Sequence, residues 1–271
     1  MSEQKQFCAR TPRLCHFHSG GSSDVRRHRV LFFGLFAATL LLILGCFESP
    51  NDTALRPPPS VRNLSPNNGV TITNTRPVIT LTVDEYIDPE SVTTGSLRLR
   101  AGSTTAFGRT RLDPLDQTLL LTLTSALTPG LTYEVELAPN VTGFGTDAVQ
   151  LQDWSFTVAS AAQEVEATAD TRPTWEADIQ PLLHEACGCH EEDSSPPPRL
   201  TRGLLELDDA VARSRRYVAP GDPSRSYLLH KVLPDYPDRF GTVMPPPWSD
   251  QPALTAQQVR LISDWISAGT P

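Results

Sequence analysis

Apolar and polar residues alternate with a period of two along much of residues 61–158. Ile79, Leu81 and Val83 alternate with Thr80 and Thr82, and Leu97 and Leu99 with Arg98 and Arg100. Leu119, Leu121 and Leu123 repeat the pattern, as do Tyr133, Val135 and Leu137, then Trp154, Phe156 and Val158. Successive side chains of a strand point to opposite faces, so each run has one apolar face and predicts a strand of a two-layer sandwich. Asn67-Asn68-Gly69, Ile87-Asp88-Pro89-Glu90 and Thr128-Pro129-Gly130 mark turns between the runs.

The period changes in residues 174–271. Asp178 predicts an N-cap for a helix from Ile179 to about Ala186, with Pro181 in its first turn, where a missing N–H costs little. Trp175, Ile179, Leu182 and Leu183 supply its apolar stripe. A second helix is expected from Asp222 as N-cap and Pro223 as first helical residue. The last helix has the strongest signals. Thr255 and Gln258 have capping-box spacing, Leu254 and Val259 stand where a hydrophobic staple would, and Val259, Ile262, Trp265 and Ile266 form the face to be buried. Gly269 stops it. Between the two patterns, residues 159–173 are small, polar and acidic and read as a linker or, since Ala and Glu favour helix, a short helix. The expected helical core is modest for its length, so a bound cofactor would help it fold.

Before residue 61 the pattern is different again. Arg26, Arg27 and Arg29 precede an apolar run from Val30 to Leu44, short for a membrane span and right for the core of an export signal. The run ends in Ile43-Leu44-Gly45-Cys46, which resembles the bacterial lipobox, with Leu44 larger than usual at its position. The resemblance implies cleavage before Cys46 and lipid on its sulfur, hence stable membrane anchoring; an ordinary signal peptide or an uncleaved anchor is the alternative. Residues 46–60, with Pro57, Pro58 and Pro59, read as a semi-rigid tether. Loss of residues 1–45 removes six basic and two acidic residues and leaves 17 basic and 29 acidic, a net charge of −12. That balance argues against a nucleic-acid partner. It also removes Cys8 and Cys15, so Cys187 and Cys189 belong to no disulfide framework and need their own explanation.

Residues 61–158 resemble a bacterial Ig-like domain of the SbsA type. The likeness is carried by Ser65-Pro66-Asn67-Asn68-Gly69, by the runs "VDEYIDPESV" (83–92) and "LTPGLTYEVEL" (127–137), and by the closing "WSFTV" (154–158). It implies a spacer or binding module, and no triad or carboxylate pair stands out in it. Asp84, Glu85, Asp88 and Glu90 cluster near one turn, as a solvated acidic loop or, less simply, a calcium site.

The candidate chemistry lies in Ala186-Cys187-Gly188-Cys189-His190. A c-type haem takes thioethers from cysteines, normally spaced Cys-x-x-Cys-His, with iron bound by the histidine. Here the first cysteine stands one residue late. Met244 is the one methionine besides Met1. It precedes three prolines, an unusual place for a residue that only fills a core gap, and so suits a positioned thioether. "DIQPLLHEACGCH" (178–190), "GLLELDDA" (203–210), "VAPGDPSRSYLLHKV" (218–232), "VMPPP" (243–247) and "LTAQQVRLISDWISAGTP" (254–271) resemble the cytochrome c-like domains of planctomycete and myxobacterial exported proteins. That resemblance implies haem c with His190 and Met244 as axial ligands and electron exchange with a redox partner protein. Three readings of the attachment site stay open: a single thioether at Cys189, a second at Cys187 through a shortened loop, or no haem. A zinc site of His184, Cys187, Cys189 and His190 competes, although four ligands so close together do not readily surround one ion. His230 reads as a packed or surface residue, or as a substitute distal ligand. No nucleotide loop, His-Glu-x-x-His or dinucleotide fingerprint is present.

The expected protein is thus multidomain: an all-β Ig-like sandwich followed by a small all-α cytochrome c-like domain, lipid-anchored in the cell envelope, more in the outer membrane than the inner. It is expected to be an electron carrier rather than an enzyme. The alternative is a haem-less surface binding or structural lipoprotein whose Ig-like domain is the functional module.

Overall fold

Nine strands make two facing sheets. They are β1 (Val61–Ser65), β2 (Thr71–Asn74), β3 (Ile79–Val83), β4 (Leu97–Ala101), β5 (Thr104–Ala106), β6 (Gly108–Asp113), β7 (Thr118–Leu123), β8 (Thr132–Leu137) and β9 (Ser155–Gln163). This computed structural model describes residues 58–145, 147–165, 172–190, 201–205, 208–209 and 215–271. One sheet has the order β1-β3-β7-β6 and is antiparallel throughout. The other has the order β2-β9-β8-β4-β5, with β2 and β9 parallel and the remaining pairs antiparallel. Register follows the alternation: Ile79 faces Leu121 and Leu81 faces Leu119, while Leu97 faces Leu137 and Leu99 faces Val135. The apolar sets therefore coincide on one face of each sheet, as a period of two demands. Ile79, Leu81, Leu119, Leu121, Phe156 and Val158 are fully buried between the sheets.

Three polar groups complete this core. Thr110 of β6 is buried, and its hydroxyl accepts from the Leu97 amide of the opposite sheet (3.0 Å). Buried Trp154 donates its indole N–H to the Pro66 carbonyl (2.8 Å), and the Tyr133 hydroxyl accepts from the Thr128 amide (2.9 Å). Strand β9 runs past residue 158, the expected end of the sandwich, because Asn74 of β2 pairs with Gln163. The stretch expected to be linker from residue 159 therefore starts as sheet.

The helical region contains α1 (Gln180–Cys187), α2 (Arg202–Leu205), α3 (Tyr227–Val232) and α4 (Ala256–Ser267), with a two-residue ribbon pairing Asp208–Asp209 and Arg215–Arg216. Asp178 is not the first N-cap. Helical structure begins earlier, with a π-helical turn at Trp175–Ile179 capped by Thr174, and the Asp178 carboxylate instead accepts from the Thr174 amide (2.8 Å). Nor is the second helix continuous from Pro223. Asp222 caps a 3-10 turn at Pro223–Arg225, which breaks at extended Ser226 before α3. The Ser226 hydroxyl accepts from the Ala219 amide (2.9 Å) and donates to the Asp222 carbonyl (2.8 Å), a local alternative that stops the helix from propagating. The Thr255–Gln258 capping box of α4 forms as expected, and Gly269 adopts φ 87° beyond its end.

Trp175, Ile179, Leu182, Leu183, Val259, Ile262, Trp265 and Ile266 are all buried against one another and against Tyr217, Val218 and the apolar residues of α3. The described helices thus share one core. Sandwich and helices belong to one compact unit, and Tyr86, Leu115 and Phe144 of the sandwich loops pack on the helical core. No helix among the described residues is long and apolar enough to cross a membrane.

Candidate functional site

The residues singled out for haem lie on two parts of the helical region. Cys187 ends α1, half-buried at the edge of the helical core. Cys189 and His190 follow in a 3-10 turn, Gly188–His190. His190 is partly buried, and its Nδ1 is sequestered without a hydrogen-bond partner among the described residues. Met244 is half-buried, its amide donates to the Lys231 carbonyl (2.7 Å), and its bond to Pro245 is cis. Lys231 pins the same loop from its other end, donating Nζ to the carbonyls of Phe240 (3.0 Å) and Thr242 (2.6 Å). Burial, and then the nearby Arg239 charge, lower the Lys231 pKa. No hydrogen bond joins His190 to Met244 among the described residues, and Cys46 lies outside them.

Among the described residues no three His, Cys, Asp or Glu side chains gather as a metal site would require. His184, one member of the expected zinc set, is exposed. The acidic turn is likewise engaged in local bonds: Asp84 accepts from the Ser60 amide, Asp88 from the Glu90 amide, and Glu90 pairs with Arg225. His230 is a packed residue and not a surface one. It is 3% exposed, its Nε2 lies 2.8 Å from the Ser224 carbonyl, and its ring stacks on Tyr236 at 4.1 Å. Nε2 can only donate to that carbonyl, so it is not open to iron.

A different constellation, which the sequence patterns did not reveal, joins the two regions. Arg260 of α4 reaches two aspartates of the β6–β7 turn, Asp113 (2.5 Å) and Asp116. Arg225 spans Glu90 (3.3 Å) and its own neighbour Asp222 (2.9 Å), and donates to the carbonyls of Pro89 (2.9 Å) and Val92 (3.2 Å). Burial acts to lower the pKa of each guanidinium. The hydrogen bonds and charges of Asp222 and Glu90, and of Asp113 and Asp116, outweigh it and leave both pKa values raised. Tyr236 stacks on His230 and takes the edges of Tyr86 (5.0 Å) and Phe144 (5.6 Å). The Tyr86 hydroxyl donates to the Pro234 carbonyl (3.0 Å), and burial, reinforced by Asp235, raises its pKa above 10.0.

A cavity of about 250 Å³ opens at this junction. Asp88 and Phe144 line it from the sandwich, and Arg225, His230, Tyr236 and Asp238 from the helical region. Domain junctions are frequent places for ligand sites, with apolar walls and a few polar groups converging. The sequence marks Asp88 and Glu90 as an acidic turn and His230 as a packed or surface residue, but Tyr86, Phe144 and Tyr236 are aromatics outside any periodic run.

Residues 56–158 match the family model of the bacterial Ig-like domain. No curated protein matches the chain. Among solved structures, the chain is similar to the S-layer protein rSbsC(31-844), at 15% identity over 41% of this chain and 14% of that one, with a TM-score of 0.30. It is also similar to an L,D-transpeptidase from Mycobacterium smegmatis, at 19% identity over 38% of this chain and 40% of the other (TM-score 0.28). A third likeness is to CopC from Methylosinus trichosporium OB3b, at 12% identity over 40% and 99% of the two chains (TM-score 0.31). Likenesses at these scores carry no argument about function.

Proposed function

We propose, on the premise that residues 56–158 are a bacterial Ig-like domain, that this is an extracytoplasmic surface protein in which that domain is the functional module. It serves as a binding and structural platform that carries the helical region as a fixed attachment, with no catalytic role. The observation that carries this reading is the junction. Two arginines of the helical region each bridge to the sandwich, and Tyr86 and Phe144 of the sandwich set their rings against Tyr236 of the helical region. A pendant domain on a flexible linker would not need such a contact, since loose association is the usual condition of domains that share little surface. Export and a lipid on Cys46 complete the proposal and rest on the signal pattern. The test is limited proteolysis of the intact protein. After cleavage between the regions, two fragments that co-elute on size exclusion, and that separate when Tyr236, Arg225 and Arg260 are replaced together by alanine, are the expected result. Fragments of the unaltered protein that separate would remove the platform reading. Incorporation of labelled fatty acid, abolished by Cys46→Ala, tests the anchor.

The haem reading is kept second, because one observation favours it. A buried polar atom without a partner costs about 1–3 kcal/mol, and the Nδ1 of His190 is such an atom among the described residues. Ligation of the imidazole would remove or reorganise that cost. In this reading Cys189, with Cys187 as a second anchor, would hold haem c, and His190 and Met244 would be its axial ligands. The group would supply one-electron transfer to a redox partner. Lys231 would keep the Met244 loop in place. Against it, the apolar faces of the described helices pack on each other and on Tyr86, Leu115 and Phe144 of the sandwich. The protein should be exported from a host with active c-type haem attachment, denatured, extracted with acid acetone and assayed as the pyridine haemochrome. A folded, colourless protein is expected under the first proposal. Haem retained by the polypeptide would install the second.

A further inference from the structure

We propose that the outer face of the four-stranded sheet is a docking surface for an acidic polysaccharide, one that carries carboxylates along a chain of sugars. The inference rests on the reading that the Ig-like domain is the functional module, and it names the class of its partner. Thr110 and Leu112 of β6 are buried in the sandwich, so Arg109 and Arg111 point outward. Phe107 prolongs that side of the strand. Its carbonyl accepts from the Thr124 amide (3.0 Å), which extends the pairing of Gly108 with Leu123 by one residue. A Cβ on Gly108 would lie 2.6 Å from Cδ1 of buried Leu121, so position 108 faces inward and its neighbours face out. Phe107, Arg109 and Arg111 thus stand in line at intervals of about 7 Å. Phe107 is 72% exposed, and no ion pair or side-chain hydrogen bond engages either guanidinium among the described residues.

The other sheet carries the same Arg-x-Arg pattern with a different outcome. Arg98 and Arg100 of β4 stand opposite Glu136 and Glu134 of β8. Arg100 pairs with both glutamates (2.9 and 3.3 Å), and Arg98 donates to the Gly95 carbonyl (3.0 Å). Arg109 and Arg111 instead stand opposite Thr122 and Leu120, and Thr80 of β3 lies beyond Leu120. The one carboxylate of β6, Asp113, is held by Arg260 (2.5 Å). Two guanidiniums without a counter-ion, on a chain of net charge −8, favour an anionic partner, and their planar forks suit carboxylates. Two features select a polysaccharide over an acidic peptide. A peptide would join an edge strand by backbone pairing, but on the free side of β6 the Thr110 amide already donates to the Thr94 carbonyl (3.0 Å). The face also sets the hydroxyls of Thr80 and Thr122 beside half-buried Leu120 and the ring of Phe107. Hydroxyls both donate and accept, as sugar hydroxyls require, and an exposed ring is a platform for the C–H face of a sugar.

The probe is polygalacturonate, titrated into the intact protein and followed by calorimetry. Dextran serves as the neutral polysaccharide and poly-L-glutamate as the acidic peptide. Saturable binding of polygalacturonate is expected, weakened by added salt, with dextran and polyglutamate about tenfold weaker or worse. Arg109→Gln together with Arg111→Gln should weaken it about tenfold, and Phe107→Ala about threefold. These changes lie on the outer face, and the thermal transition should stay in place. Arg98→Gln together with Arg100→Gln removes the same charge from the other sheet and should bind as the original does. Equal binding of polyglutamate or dextran, equal loss from either pair of arginines, an Arg109→Gln/Arg111→Gln protein as good as the original, or no saturable binding overturns the proposal. Co-eluting proteolytic fragments in a protein that binds no polygalacturonate remove this site and keep the platform. Fragments that separate while the polysaccharide is still bound keep this site and remove the fixed attachment.

Discussion

The sandwich and the helical region bury their side chains by different means. In the sandwich, nine strands take partners from across the domain, and every apolar residue that packs at the margin of its core, from Val61 to Ala162, is its own. In the helical region, side-chain caps stand at α4 (Thr255), at the π-helical turn (Thr174) and at the 3-10 turn (Asp222), and the margin of the core takes Tyr86, Leu115 and Phe144 from the sandwich. The dependence therefore runs one way. The sandwich is complete without the helices, whereas the helices lose part of their cover without the sandwich. Small domains sit close to the limit at which burial offsets chain entropy, so borrowed surface matters more to the helical region.

Separating the regions should give the largest effect. Residues 58–163 alone are expected to show a cooperative thermal transition by circular dichroism, and residues 172–271 alone none. Two independent cooperative transitions would remove the asymmetry. Next in size is Trp265→Ala. This side chain is 1% exposed, lies 5.6 Å from Trp175 and donates to the Pro271 carbonyl (3.2 Å). Its loss should cost about 3–5 kcal/mol in urea denaturation, and sandwich fluorescence should follow it only if the regions unfold as one. Tyr236→Ala attacks the coupling itself. It should cost about 3 kcal/mol and separate one thermal transition into two, the helical one falling first. Smaller again is Arg260→Ala, at about 1 kcal/mol or less, since the ion pair is part-exposed and screened by salt. High salt should weaken the original protein's junction by a similar amount.

The smallest effect is a pH dependence. The Tyr86 hydroxyl is held above its ordinary pKa of 10.0. The unfolded chain ionises first, so the stability due to this group is whole below pH ~10 and is lost as pH rises through the folded value. Melting temperatures measured on either side of that window should fall with rising pH. Tyr86→Phe should flatten the fall, although it also removes the bond to Pro234. An unchanged slope would mean that Tyr86 does not report on the junction.

Local patterns were legible where one rule acts alone. Alternation located β3, β4, β7, β8 and β9, and the capping box located α4. Strands β1, β2, β5 and β6 were missed because edge strands and a polar core residue such as Thr110 break the alternation. The burial of Thr110 makes sense only once Leu97 of the other sheet accompanies it. The split before α3 was missed because Ser226 bonds backward to Ala219, a contact that spacing alone does not announce. Of the candidate haem residues, the sequence named positions; the structure adds an orphaned ring nitrogen at His190 and a pinned loop at Met244.

The sequence by itself determined the succession of a sandwich and short helices, their apolar faces, the caps of α4 and the acidic balance, since these follow from residue type and spacing within about one turn or one strand. Only the tertiary structure decided that Arg225 and Arg260 meet acids of another region, that Tyr86, Phe144 and Tyr236 share one cluster, and that Phe144, Tyr236 and Arg225 line one cavity. Those contacts join residues more than ninety positions apart. Their geometry depends on how two finished surfaces pack, which no local period encodes.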